Sequence, residues 1–331
     1  MNPVPLIQKF KVLGSLTILA VYFLILVGGI VRASGAGLGC PDWPTCFGRW
    51  MPPTSVFELP QDYQKIYAGL GVANTRFNVT KTWTEYLNRL TGAGIGFLIF
   101  LTMVFSWSFR KTDPPVFYLS LGTFFLVGFQ GWLGAVVVAS RLHPGMITVH
   151  MMVALVIVAL LIYVIIRSQV SVLKQSDPIN LHPHFRPVLL TAMAMTLLQV
   201  IMGTQVRESV DTIAAAYQLE NRHLWRSHFP AIFYVHRSFS ALILFTNAWL
   251  IWQLVRKAET QIYLFRCGIA LGLFIATGIL AGITMDRLDI PAVAQPVHLL
   301  MATLVFGMQF FIYLSLSYSS LGHNVVASRA P

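Results

Sequence analysis

Nine histidines occur in the chain, and three of them stand where an ionisable ring is costly. His150, His236 and His298 lie inside or at the edge of long apolar runs, whereas His143, His182, His184, His223, His228 and His323 fall in loops or the tail and are expected to be solvated. Two neutral imidazoles facing each other from different helices of an apolar bundle make a natural axial pair for haem iron. The bland alternative is two rings, each hydrogen-bonded to a backbone carbonyl. His236 and His298 open two runs near one membrane edge, and Arg237 follows the first, a combination that favours the haem.

A second group sits at the start of another apolar run, in Thr84-Glu85-Tyr86-Leu87-Asn88-Arg89. Positions i, i+3 and i+4 share a helix face, so Glu85, Asn88 and Arg89 are expected to point one way. The phrase returns 148 residues later as Phe233-Tyr234-Val235-His236-Arg237, with Phe233 for Glu85 and His236 for Asn88. Asparagine is a poor iron ligand. A haem in the first copy would have His150 on one side and an open or otherwise filled position on the other. An open position beside a carboxylate reads as a reaction site; a saturated bis-histidine site without an acid reads as an electron carrier. Glu85 could instead simply pair with Arg89. Arg32, Arg89, Arg207 and Arg237 would then be either propionate partners or snorkelling interfacial cations.

These residues must be positioned by membrane helices. Of 331 residues, 56% are hydrophobic and 11% charged, and the mean hydropathy is +0.68; a soluble domain carries about 25% charged residues. Spans need ~20 apolar residues, and eight runs qualify, at about 10–32, 84–109, 116–139, 147–167, 187–207, 231–255, 262–285 and 294–318. They are continuous and too long for the alternating strands of a barrel. An all-α integral membrane protein is expected. The net charge of +11 is spread over loops and helix ends, without a basic tail, so no nucleic-acid partner is expected.

An internal repeat organises the runs. Gly28-x-x-Val31-Arg32-x-Ser34 matches Gly203-x-x-Val206-Arg207-x-Ser209, and Gly134 precedes His150 by the same 16 residues that separate Gly282 from His298. Four runs per half is an even number, so both halves insert in the same orientation. That predicts tandem four-helix bundles related by a pseudo-twofold along the membrane normal. The expected division is an N-terminal half at 1–168, a cytoplasmic linker at 169–186, a C-terminal half at 187–320 and a tail at 321–331.

The connection from 33 to 83 is too long for a plain loop and is expected to cap the outer end, with a polar stretch near 57–68 able to form an interfacial helix. It contains Cys40 and Cys46, which could form a disulfide in an oxidising space, bind a metal, or remain free thiols. Basic residues at Lys9, Lys11, Arg110, Lys111, Arg167, Lys174, Arg186, Arg256 and Lys257 place both termini in the cytoplasm. The first run is too long for a signal peptide, and the N-terminal stretch lacks a transit-peptide pattern. A bacterial plasma membrane is therefore expected.

Together these features resemble the haem A synthase family. The likeness covers nearly the whole chain: eight spans in two halves, a cysteine pair in the first outer loop, the Glu85-Tyr86-x-x-Arg89 phrase, and histidines at the outer ends of spans four, six and eight. The family commonly has histidine where this chain has Asn88. The resemblance implies oxidation of a haem O methyl group to the formyl group of haem A for cytochrome oxidase assembly. It assigns His236, His298 and Arg237 to a bound haem b, with His236 and His298 on iron. It assigns Arg89, His150 and Asn88 to substrate haem O, with His150 on iron and Glu85 catalytic, and a Cys40–Cys46 disulfide to support of the cap. Haem O synthase, an electron-transfer partner and membrane lipid are the implied partners. The competing reading is a di-haem cytochrome b that only transfers electrons.

Overall fold

A computed structural model of the chain describes residues 3–70, 76–173, 181–217, 220–257 and 262–327. Its frame is eight long helices: α1 Pro3–Ala33, α2 Val79–Ser106, α3 Pro114–Ala139, α4 Pro144–Arg167, α5 Phe185–Ala216, α6 Ala231–Val255, α7 Ile262–Arg287 and α8 Ala294–Ala327. All eight are long and apolar enough to cross a membrane, and no strand occurs among the described residues. Local chemistry sets the helix starts. The Asn78 side chain caps α2 by accepting from the Lys81 N–H at 3.0 Å. Prolines occupy the first turns of α3 and α4, where a missing N–H costs nothing.

Helix neighbours follow the repeat. The first four helices close a ring, α1 on α2, α2 on α3, α3 on α4 and α4 on α1, and α5 to α8 close a second ring in the same order. The rings meet through α1 against α8, α4 against α5, and α4 against α8. Exchanging the halves maps the first two of these contacts onto each other. One apolar core joins α1, α2 and α4 through Val21, Ile99 and Leu161; another joins α5 to α8 through Leu189, Leu250, Leu271 and Ile312. Leu155, Val200 and Phe306 pack between the rings. The repeat is also written in the backbone. Arg141 and Leu142 after α3 take left-handed φ of 55° and 63°, and Asp289 and Ile290, 148 positions on, take 54° and 55°. Two consecutive non-glycine residues in that region are uncommon, so the recurrence is one folded solution used twice.

Three elements depart from expectation. Helix α5 runs to Ala216, past the expected limit at 207, because Arg207 and Asp211 pair one turn apart and carry the helix beyond its apolar stretch. Helix α8 continues to Ala327 through most of the expected tail, whose last residues, 328–331, lie outside the described residues, as does the linker at 174–180. The stretch near 57–68 forms separate turns at Val56–Glu58, Tyr63–Ile66 and Ala68–Leu70 instead of one helix. Pro60 lies between the first two and cannot donate the bond that would join them.

Candidate functional site

The candidate site residues gather at the end of the bundle that carries the long loop. Cys40 and Cys46 form a disulfide. Its loop is folded around Asp42, whose carboxylate accepts from the N–H groups of Phe47 at 2.5 Å and Gly48 at 2.8 Å and from the Thr45 hydroxyl. Phe47 plugs into an aromatic cage of Tyr63, Tyr67 and Phe77. Burial, with the Asp42 carboxylate nearby, pushes the Tyr67 phenol up. Further out, hydrogen bonds from the Thr54 hydroxyl and N–H, helped by Arg49, hold the exposed Glu58 carboxyl below its ordinary value.

The loop is bolted to α2. Glu85, 3% exposed, accepts from the Cys40 N–H at 2.8 Å and pairs with Arg89. Arg89 donates to the carbonyls of Cys40 at 2.8 Å, Asp42 at 2.6 Å and Thr45 at 3.0 Å. The Thr82 hydroxyl donates to the Gly39 carbonyl at 2.9 Å. Only glycine fits at 39: a Cβ there would collide with the Lys81 carbonyl and lie 2.9 Å from the Thr82 nitrogen. The Glu85–Arg89 pair, the alternative reading of these two residues, therefore exists, and both partners also bind the loop. Asn88 is directed elsewhere. Its buried Oδ1 has no hydrogen-bond partner and faces Gly28 of α1.

The histidines sit in matched niches. A Cβ on Gly134 would lie 3.6 Å from His150 Cε1, and one on Gly282 would lie 3.3 Å from His298 Cε1. The Gly203 position approaches His236 at 3.4 Å just as Gly28 approaches Asn88 at 3.9 Å. Each small residue clears a slot for a ring or amide on the next helix. His236 and His298 face each other with centroids 6.2 Å apart and planes at 65°. His298 Nδ1 lies 2.7 Å from the Gly278 carbonyl. Donation there leaves Nε2 unprotonated and fixed in direction, the state a metal needs. Imidazole–metal bonds of about 2 Å on either side of one atom fit between rings at that separation. His236 Nδ1 and His150 Nδ1 are buried without partners. Orphaned buried nitrogens of this kind mark a missing ligand or water. The residues present thus fit a haem between His236 and His298, and an imidazole free to ligate in the first ring.

Arg237 is half exposed, stacks 5.7 Å over Tyr234 and reaches Asp286 at 3.5 Å. Several polar residues escaped the sequence reading. Gln130 and Gln199 donate to the backbone carbonyls of His150 at 2.8 Å and His236 at 3.0 Å. An amide inside an apolar run was the available signal. Asp211 and Gln295 engage Arg207, and Asp211 also engages Arg32.

The COX15-CtaA family model, described as a cytochrome oxidase assembly protein, matches residues 11–310. Among curated proteins, a heme A synthase of Shewanella oneidensis is 28% identical over 188 residues, 57% of this chain and 54% of that protein. One of Methylobacterium nodulans is 28% identical over 322 residues, 86% of each chain. One of Brucella ovis is 26% identical over 155 residues, 43% of this chain and 42% of that protein. The chain thus spans about half the length of the Shewanella and Brucella relatives it matches, and most of the Methylobacterium one.

Proposed function

The chain belongs to the COX15-CtaA family of cytochrome oxidase assembly proteins, and from that membership we propose that it is a haem A synthase, a multi-pass membrane oxidoreductase that converts the haem O methyl group to the formyl group of haem A. The observation that carries the reading is the asymmetry between the rings: paired imidazoles at His236 and His298, but His150 and Asn88 at the matching places in the first. The second ring, at 187–320, would hold haem b through His236 and His298. The first, at 1–168, would take haem O with His150 on iron. The cap end would face outward, with both termini in the cytoplasm of a bacterial plasma membrane.

The protein's own contributions follow from its residues. Haem b, when bound, supplies one-electron transfer between the substrate site and an electron-transfer partner. Gly278 sets the His298 tautomer, and Gln199 fixes the α6 backbone that carries His236. In the first ring Gln130 does the same for His150. Substrate oxidation would proceed in steps, methyl to alcohol and then to a hydrated aldehyde that loses water. Each step would take one oxygen from water and release two protons and two electrons, the electrons leaving to the electron-transfer partner as acceptor. Glu85 places a buried negative charge at the rim of that ring, suited to stabilising developing positive charge. Arg89 keeps the disulfide loop seated over it, which limits water.

A di-haem electron-transfer protein is the second reading, favoured by one observation: the Glu85 carboxylate is already occupied by Arg89 and the Cys40 N–H. Expression with a haem O synthase in a host lacking haem A, followed by extraction and mass detection of the haems, separates the two. Haem A or its alcohol precursor supports the synthase. Haem b with unconverted haem O, from folded protein supplied with an electron acceptor, sinks it.

A further inference from the structure

Where the two rings meet at the cap end, two arginines share one carboxylate. Arg32 of α1 reaches Asp211 Oδ2 at 2.5 Å, and Arg207 of α5 reaches Oδ1 at 2.8 Å. The arginines are repeat equivalents, each one turn beyond a slot glycine, Gly28 facing Asn88 and Gly203 facing His236. Asp211 has no such twin: the matching position is Ala36. Two guanidiniums against one carboxylate leave a surplus positive charge. Arg207 also donates to the Gln295 side-chain oxygen, and the Gln295 amide N–H in turn donates to the Ile290 carbonyl at 3.3 Å. Even so, the Nε atoms of Arg32 and Arg207 are buried without partners. A built cluster with unmet donors and unbalanced charge is short of an anion.

We propose that Asp211 is a shared anchor that holds Arg32 and Arg207 for carboxylates of two haems, one in each ring, and thereby couples the two sites electrostatically. The inference rests on the haem assignment above. One helical turn, about 5 Å along the axis, separates each arginine from the slot beside its own ring's Asn88 or His236. Each guanidinium would thus be placed beyond its own ring's slot, where it could receive a carboxylate of a haem held there. Because both arginines bind the same carboxylate, a charge change on the α1 side is felt at the α5 side.

The test is an optical redox titration of full-length protein carrying haem b, for wild type, Arg32→Gln and Asp211→Asn. Arg32→Gln removes a positive charge and is expected to lower the midpoint of the His236/His298 haem, although Arg32 belongs to the other ring. Asp211→Asn removes a negative charge and is expected to raise it. Arg32→Lys, which keeps the charge, is expected to lie near wild type, separating electrostatics from loss of packing. Haem b dimethyl ester, lacking propionate charge, should bind wild type about tenfold or more weakly than haem b, with the difference shrinking in Arg32→Gln. Full haem content with unmoved midpoints, or shifts of the same sign in both charge variants, overturns the coupling. Equal binding of ester and free acid overturns the carboxylate role. A wild type with no low-spin bis-histidine spectrum instead removes the haem assignment itself.

Discussion

Glu85 and Arg89, one turn apart on α2, grip opposite sides of the same residue: the Glu85 carboxylate accepts the Cys40 N–H, and the Arg89 guanidinium donates to the Cys40 carbonyl, each at 2.8 Å. The loop holding the disulfide is therefore fixed by charge-assisted bonds to the helix that lines the first ring. A carboxylate and a guanidinium used this way position the cap, whatever else they do.

Removing either partner leaves the other charge largely buried, which typically costs about 3 kcal/mol. Arg89→Lys is expected to lose much of the grip, because an ammonium cannot span three carbonyls as a planar fork does. The check is hydrogen exchange across residues 39–47 together with the thermal midpoint. Glu85→Gln adds a discriminating result. Loss of haem O oxidation with the loop still protected assigns Glu85 an electrostatic role at the substrate. Loss of both assigns it to positioning, and retention of both sets aside either role.

The disulfide closes a short loop of sequence separation 6. Chain-entropy arguments give such a loop roughly 2 kcal/mol. Cys40→Ser with Cys46→Ser is expected to loosen the cap by about that amount while leaving the cores of α5 to α8 intact. Regional hydrogen exchange reads both halves of that expectation.

Much of this was legible in the sequence, and the reasons for the rest are specific. The spans were readable because continuous apolar runs have few other uses, and the repeat because glycine, arginine and histidine recur at fixed spacing. The twin left-handed pairs at Arg141–Leu142 and Asp289–Ile290 were not, since those residue types give no hint of positive φ. Arg89's targets were hidden because they are backbone carbonyls, which carry no side-chain signature. Asp211 was missed because it lies beyond the apolar stretch of α5 and one of its partners is 179 positions away.

The cap should respond to acid through Glu58. Its folded-state pKa is depressed, chiefly by Thr54 and further by Arg49. The resulting stability is present above its unfolded value and is lost as pH falls through its folded value, a window below about pH 4. Exchange at Thr54 and its neighbours is expected to accelerate there in wild type. Glu58→Gln should exchange faster throughout and show less of that acid response.

The slot glycines predict a steric effect. A methyl at Gly282 would sit 3.3 Å from His298 Cε1 and 3.5 Å from Nδ1, while the Gly278 carbonyl, one turn earlier on the same helix, holds the ring at Nδ1. Gly282→Ala is expected to cost about 1 kcal/mol through overpacking and to tilt the ring, altering the low-spin haem spectrum. His298→Ala should abolish that spectrum. An unchanged spectrum in Gly282→Ala would mean that the ring has room the structure does not give it.

Asn88 supplies the sharpest test of the asymmetry. Its Oδ1 is buried without a partner opposite Gly28, where the second ring places His236 opposite Gly203. Gly28 holds the place beside Asn88 that Gly203 holds beside His236, so Asn88→His is expected to fit as His236 does. If an open position opposite His150 is what makes the first ring a reaction site, the added imidazole has two readable consequences. Electron paramagnetic resonance of protein loaded with haem O should gain a second bis-histidine low-spin signal. Conversion to haem A should change with it: a fall would show that the open position is used in turnover, and a rise would show that Asn88 leaves the substrate under-ligated. Unchanged spectra and unchanged conversion together would mean that Asn88 does not face the substrate, and the division of labour between the rings would have to be sought elsewhere.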